Sequence, residues 1–200
     1  MKINYHRLCE KQIERLASGK HRPSLLLQSC CGPCSSYVLE YLTRFFDVDV
    51  LFYNPNIFPK EEYIKRLETQ KKLIEEMNLD GVKLCGVTYN HEEFLQEIKG
   101  LESCKEGGER CSECFKLRMR KTAEYAKKMN YDCFTTTLSV SPHKNAELLN
   151  EIGEKLSDEF GVEFLVADFK KNEGYKRSIE LSKKFDLYRQ DFCGCEFSRN

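Results

Sequence analysis

Three groups of cysteines carry most of the chemistry available to this chain. Cys30, Cys31 and Cys34 stand together in "QSCCGPCSS", directly after the apolar run "SLLL"; Cys111 and Cys114 form a C-x-x-C in "RCSECF"; Cys193 and Cys195 form a C-x-C in "DFCGCEF". Thiolates are soft ligands and nucleophiles, so clusters of them serve metal centres, redox exchange or both. Cys34 follows Pro33, which suits a first helical turn, and the free N–H groups of such a turn favour a thiolate. Cys111 and Cys114, at i and i+3, share one face of a helix start and can aim at one ion or cluster. Alone, that pair reads as a redox dithiol, half a zinc knuckle or half a cluster site. With Cys30 and Cys31 it supplies four thiolates. Adjacent cysteines diverge and fit one tetrahedral ion poorly, whereas a cubane offers four separate irons, so iron-sulfur ranks ahead of zinc. The Cys193-Gly194-Cys195 spacing can close a small strained disulfide, which reduces easily, or chelate a metal. Cys9, Cys85 and Cys133 read as core, and Cys104 is ambiguous.

Two loops could receive a ligand. "FYNPNIFP", residues 52–59, makes a polar loop with aromatic walls and offers Tyr53, Asn54 and Asn56. "TTTLSVSPHKN", residues 135–145, offers Ser141, His143 and Lys144, which suit a phosphate or ribose beside a helix start. Charge runs follow the cysteines: Lys116, Arg118, Arg120, Lys121, Lys127 and Lys128, then Lys170, Lys171, Lys176, Arg177 and Arg189. Such runs are usually solvated faces, but these flank the thiols and would balance a thiolate cluster or grip a phosphate backbone. His91 reads as a capping or packing residue.

The elements that must position these residues alternate. An N-terminal helix near 4–18 precedes the strand "SLLLQS", a helix from Pro33 to about Phe46, the strand "DVDVLFYN", the amphipathic helix "KEEYIKRLETQKKLIEEMN", the strand "VKLCGVTY" and the helix "HEEFLQEIKGLE". A basic helix from about Ser112 to Met129, the strand "DCFTTTLSV", a helix opened by Pro142, the strand "VEFLVADF" and the helix "YKRSIELSKKF" follow. This pattern predicts an α/β fold, a doubly wound, mostly parallel five-stranded Rossmann-like sheet with helices on both faces. It reads as a single domain: N-terminal helix 1–20, sheet core 21–170, and a C-terminal helix with a cysteine-bearing tail 171–200. Parallel sheets bind ligands at the carboxyl ends of their strands, so the loops after strands one, two and four should line the site.

The composition limits the options. Two hundred residues suffice for a real core, 32% are charged, and the formal net charge is zero, so any nucleic-acid contact must come from a local basic face. No apolar run approaches a membrane span and the N-terminus has no secretory apolar core, which places the protein in the cytoplasm. Eleven cysteines, an odd number, in a reducing compartment argue for ligands and redox thiols over a disulfide framework.

The segments "LLLQSCCGPCSSYVLEYL", "FYNPNIFPKEEYIKRLETQ", "CSECFKLRMRKTAEYA", "FTTTLSVSPHKN", "DFKKNEGYKRSIELS" and "LYRQDFCGCEFS" resemble, in order and over nearly the whole chain, the cobalamin-independent epoxyqueuosine reductases of the QueH type. One departure is Gly32, where alanine is the more usual residue. The resemblance implies reduction of the epoxide of epoxyqueuosine at the tRNA wobble position to the cyclopentene of queuosine, the last step of queuosine biosynthesis. It also implies a 4Fe-4S cluster on Cys30, Cys31, Cys111 and Cys114. Cys193 and Cys195 become a redox-active pair, cycling between dithiol and disulfide or holding a second, mononuclear iron, for which Cys34 is a further candidate ligand. Asp191 or Tyr188 could supply a proton. The implied partners are tRNA carrying epoxyqueuosine and a ferredoxin- or flavodoxin-like electron donor, with no membrane. The alternatives are a thiol-disulfide oxidoreductase and a zinc-stabilised tRNA-binding module, and metal identity separates the three.

Overall fold

The computed structural model describes residues 3–79, 81–85 and 89–198. Helix α1 (Tyr5–Ala17) leads to β1 (Ser24–Gln28), α2 (Gly32–Leu42), β2 (Asp47–Leu51), α3 (Lys60–Glu76) and β3 (Leu84–Cys85). Then come α4 (His91–Glu97), α5 (Glu109–Lys128), β4 (Cys133–Thr136), α6 (Ala146–Phe160), β5 (Glu163–Phe164) and α7 (Gly174–Lys184). The five strands form one sheet in the order β3-β2-β1-β4-β5, and every pairing is parallel. The expected Rossmann-like α/β architecture is therefore present, fully parallel where a mostly parallel sheet was expected.

Burial on both faces explains why β1 is an unbroken apolar run. Leu25 and Leu27 pack with Val38, Leu39 and Leu42 of α2 and with Leu73 of α3. Leu26, on the opposite face, packs with Met119 and Ala123 of α5 and Leu149 and Ile152 of α6. Strand order reverses at β1, whose neighbours are β2 and β4, and the chain leaves the carboxyl ends of all three beside one crevice.

Several boundaries differ from the sequence expectation. Helix α2 stops at Leu42, and α5 begins at Glu109 instead of Ser112. Pro142 lies in a turn instead of opening a helix. Helix α6 begins at Ala146 because the Asn145 side chain accepts from the N–H groups of Glu147 (3.0 Å) and Leu148 (3.4 Å). Strand β4 ends at Thr136, whose hydroxyl caps a short 3₁₀ turn, Thr137–Val140, by accepting from Leu138 N–H. Of the expected third strand, Leu84–Cys85 is observed, and residues 86–88 lie outside the described residues.

Candidate functional site

At the end of β1 the chain turns from strand directly into helix, and Cys31 is the extended residue that precedes α2. The Sγ atoms of Cys30, Cys31 and Cys34 lie within 4.8 Å of one another, with Cys30 and Cys31 3.7 Å apart. The Cys30 N–H donates to the Thr137 hydroxyl (3.1 Å), which donates in turn to Cys30 Sγ (3.4 Å). A buried polar network fixes this corner. Gln28 donates to the Ser29 and Tyr53 carbonyls and accepts from Thr136. Ser29 donates to Gln70 (2.6 Å), and Asn54 donates to the Ser29 carbonyl (2.8 Å). The loops after β1, β2 and β4 are thus tied to one another beneath the thiols.

Cys111 and Cys114 occupy the first turn of α5, and the Gly107 N–H donates to Cys111 Sγ (3.2 Å). One turn further on, Arg118 points inward, 2% exposed, and donates to Asn54 (2.6 Å). Its charge acts on both Cys30 and Cys114. The Cys-Gly-Cys tail approaches from the other side. Arg66 of α3 donates to the Cys193 carbonyl (3.0 Å), the Phe58 N–H to the Gly194 carbonyl (2.9 Å) and Arg110 to the Phe197 carbonyl (3.3 Å). His91 bonds Glu196 (2.8 Å) and the Pro55 carbonyl (2.6 Å). Gly194 has φ of +98°, and a Cβ there would lie 2.9 Å from the Arg66 guanidinium, so glycine is required for both conformation and space. All eleven cysteines carry free thiols.

These elements enclose a cavity of about 720 Å³, the size range of small-ligand sites. Cys30, Cys34, Asn54, Asn56, Ser141, His143, Lys144, Asp191 and Cys193 line it. Cys111, Cys114, Cys193 and Cys195 line a small recess that shares Gly107, His143, Lys144 and Cys193 with the main cavity. Cys193 therefore stands between the β1 thiols and the α5 thiols. Cys31 is buried beneath the cavity and lines neither space. Two residues named from sequence turn elsewhere. Tyr53 packs in the core and donates to Glu93, and the Tyr188 hydroxyl donates to Glu62 (3.2 Å).

The electrostatics divide the thiols. Hydrogen bonds from Cys31 and Cys34, reinforced by Arg118 and Thr137, outweigh burial and hold Cys30 well below the ordinary thiol range. Donation to Cys30 pushes its two donors up, Cys31 to about 12. Burial pushes Cys114 to about 12 and Cys195 to about 11. Lys144, 4.0 Å from Cys193 Sγ, is held charged because attraction to Cys193, Cys30 and Cys34 outweighs burial. This is a soft donor set with two cations beside it. Protonated thiols in such a place release their protons when a thiophilic metal binds, so the residues fit a metal centre.

Arg66 and Arg110 were not expected at the site. Arg66 sits at i+4 from Glu62 in an ordinary amphipathic helix and carries no sequence signal. The basic runs are mostly paired surface charges: Lys116 with Glu113, Arg120 with Glu159, Lys170 with Asp168, Lys176 with Glu173 and Arg177 with Glu40. No described helix is long and apolar enough to cross a membrane.

A parallel α/β sheet that gathers thiols at its switch point defines a Rossmann-like protein with a candidate thiol or metal site. The comparisons narrow this. The profile of the family described as epoxyqueuosine reductase QueH matches residues 25–200. The chain is 40% identical to the epoxyqueuosine reductase QueH of Streptococcus pyogenes serotype M1, over 98% of this chain and 78% of that one. It is 41% identical to that of Staphylococcus epidermidis, over 98% and 85%, and 34% identical to that of Thermotoga maritima, over 88% and 90%. This chain belongs to the epoxyqueuosine reductase QueH family. The fold alone is shared with the NMN synthetase of Francisella tularensis, with a TM-score of 0.54 at 13% identity over 100% of this chain and 79% of that one.

Proposed function

We propose that this chain reduces the epoxide of epoxyqueuosine in tRNA to the cyclopentene of queuosine. Two electrons and two protons are consumed, and the oxygen leaves as water. The observation that carries the reading, beside family membership, is that Cys30, Cys34 and Cys193 face one cavity large enough for a modified nucleoside. Cys30, Cys31, Cys111 and Cys114 would hold a 4Fe-4S cluster. Cys193 and Cys195, with Cys34 alongside, would hold a second iron or cycle between dithiol and disulfide. When bound, the cluster supplies electrons one at a time from a ferredoxin- or flavodoxin-like donor in the cytoplasm.

The chain's own residues do the rest. Arg118 and Lys144 offset the negative charge that gathers on the thiolates. Thr137 holds the Cys30 sulfur, and Arg66 and Phe58 hold the Cys193–Gly194 backbone at the cavity wall. Asp191, exposed on the same wall, delivers protons from solvent. Ser141, His143 and Lys144 face the ribose and phosphates of the extruded nucleotide.

Incubation of anaerobically reconstituted protein with epoxyqueuosine-tRNA and a reductant, followed by nucleoside analysis, should reveal queuosine, and Cys193→Ser should abolish turnover with the cluster spectrum retained. Recovery of one zinc and no acid-labile sulfide, without conversion, would sink the reading.

A further inference from the structure

Among the described residues, the buried side-chain polar atoms without a partner belong to Asn56, Gln70, Arg110, Arg118 and Gln190. An unpaired buried polar atom is costly, so native proteins keep few of them without a use. Here they are not scattered. Asn56, Arg118 and Gln190 line the main cavity and Arg110 lines the adjoining recess. Arg118 and Arg110 sit among the thiols. Asn56 and Gln190 are different: each presents an amide oxygen, and neither belongs to a thiol group. They come from distant parts of the chain, one from the loop after β2 and the other from the segment leading into the Cys-Gly-Cys tail. Asn56 is 2% exposed, and its Oδ1 and the Oε1 of Gln190 have no hydrogen-bond partner among the described residues.

We propose that Asn56 and Gln190 are the base-reading residues of the cavity, their amide oxygens accepting from the adjacent N–H and NH2 donors of a guanine-type edge. The inference rests on the proposed function, because a deazaguanine base keeps those two donors on its pairing edge and carries the epoxide arm on its five-membered ring. Binding that edge at Asn56 and Gln190 leaves the arm free to reach the thiols. An adenine edge presents an unprotonated ring nitrogen at the central position and would leave one acceptor unpaired. The pair therefore selects for guanine-derived bases as well as orienting the arm.

The test separates base reading from turnover. Holoprotein is titrated, by fluorescence anisotropy, with unreactive anticodon stem-loops carrying guanosine, inosine or 1-methylguanosine at the wobble position. Inosine lacks the exocyclic amine and 1-methylguanosine lacks the ring N–H. Wild type should bind guanosine about tenfold more tightly than at least one of the two analogues, the effect of one lost hydrogen bond to a site left unpaired. Asn56→Leu or Gln190→Met should erase the preference against one analogue, weakening guanosine and the analogue that keeps the lost donor while leaving the other analogue's affinity unchanged. Because the amide oxygens have no partner in the free protein, neither variant should lower the melting temperature by more than about 3 °C. Equal affinity for the three stem-loops, a preference that survives both substitutions, or a large loss of stability would overturn the proposal. Should epoxyqueuosine-tRNA be converted by a protein that reads no guanine edge, this inference falls and the reductase assignment stands. If guanine discrimination is present and conversion absent, the reductase assignment falls.

Discussion

The two ends of the site are built in opposite ways. Cys30, Cys31 and Cys34 sit where β1 passes into α2, so strand, turn and helix place their sulfurs within 4.8 Å by local geometry. Cys193 and Cys195 sit in a segment without strand or α-helix, and side chains from far away hold them. Arg66, Arg110, His91 and the Phe58 backbone each bond the tail, across sequence separations of about one hundred residues or more for three of the four. The difference teaches that one half of a thiol site can be inherited from the fold's own framework while the other is clamped on. The framed half should survive perturbation that the clamped half does not.

The largest break in that comparison is Arg66→Met. Arg66 is 2% exposed and bonds half-buried Glu62 (2.6 Å) as well as the tail, so its loss leaves that carboxylate with only the Tyr188 hydroxyl and frees Cys193. A destabilisation of about 3–5 kcal/mol is expected in chemical denaturation. Turnover should fall about 100-fold, as reacting groups lose their placement. Reactive labelling should report Cys193 more accessible while Cys30 and Cys31 are unchanged. If the β1 thiols become equally exposed, the two halves are not separately built.

Next is Gly194→Ala, where φ of +98° and the 2.9 Å approach to Arg66 both resist a side chain. About 1–3 kcal/mol of strain is expected, released by local detachment of the tail. Hydrogen exchange should therefore quicken at residues 192–198 and stay slow at β1.

Gly32→Ala tests the framed half. A Cβ at Gly32 would lie 2.9 Å from Thr69 Cγ2 and 3.0 Å from its carbonyl oxygen, so α2 and α3 must part slightly. The expected cost is about 1–3 kcal/mol in unfolding experiments, and Thr69→Ser should recover part of it. Full stability of the single variant would show that the framework gives more readily than its packing implies.

The smallest effect belongs to a control away from both halves. Arg177 bonds Glu40 on the surface (2.7 Å) and lowers its pKa. A folded-state pKa below the unfolded one adds stability above the unfolded pKa that is lost as pH falls through the folded one. A double-mutant cycle should give about 0.5 kcal/mol at pH 7, fading below the ordinary carboxylate range and in high salt. An undiminished coupling at pH 3 would contradict the assignment.

Local order was legible wherever one residue type or one periodicity carries the signal. The apolar run at β1 implied a strand, the amphipathic repeats implied helices, and clustered cysteines marked a candidate site before any fold was known. Helix starts were legible only partly. Pro142 drew attention as a helix opener, yet the Asn145 side chain, satisfying two free N–H groups, sets the start of α6. Tyr53 and Asn54 are neighbours in one loop and looked alike as ligand-facing residues. The alternation of side-chain direction sends one through the core to the surface residue Glu93 and the other to Arg118 at the cavity.

By itself the sequence determined the elements, the thiol groups and the family, because these depend on residue identity and spacing over a few turns. Only the tertiary structure decided which residues meet. It set the strand order β3-β2-β1-β4-β5, turned Arg118 inward while Lys116, Arg120 and Lys121 stayed on the surface, recruited Arg66 and Arg110 to the tail, and brought Asn56 and Gln190 to one cavity. Those outcomes follow from packing between segments far apart in the chain. A buried arginine or an unpaired amide has the same letter as an exposed one, and only its surroundings give it a role.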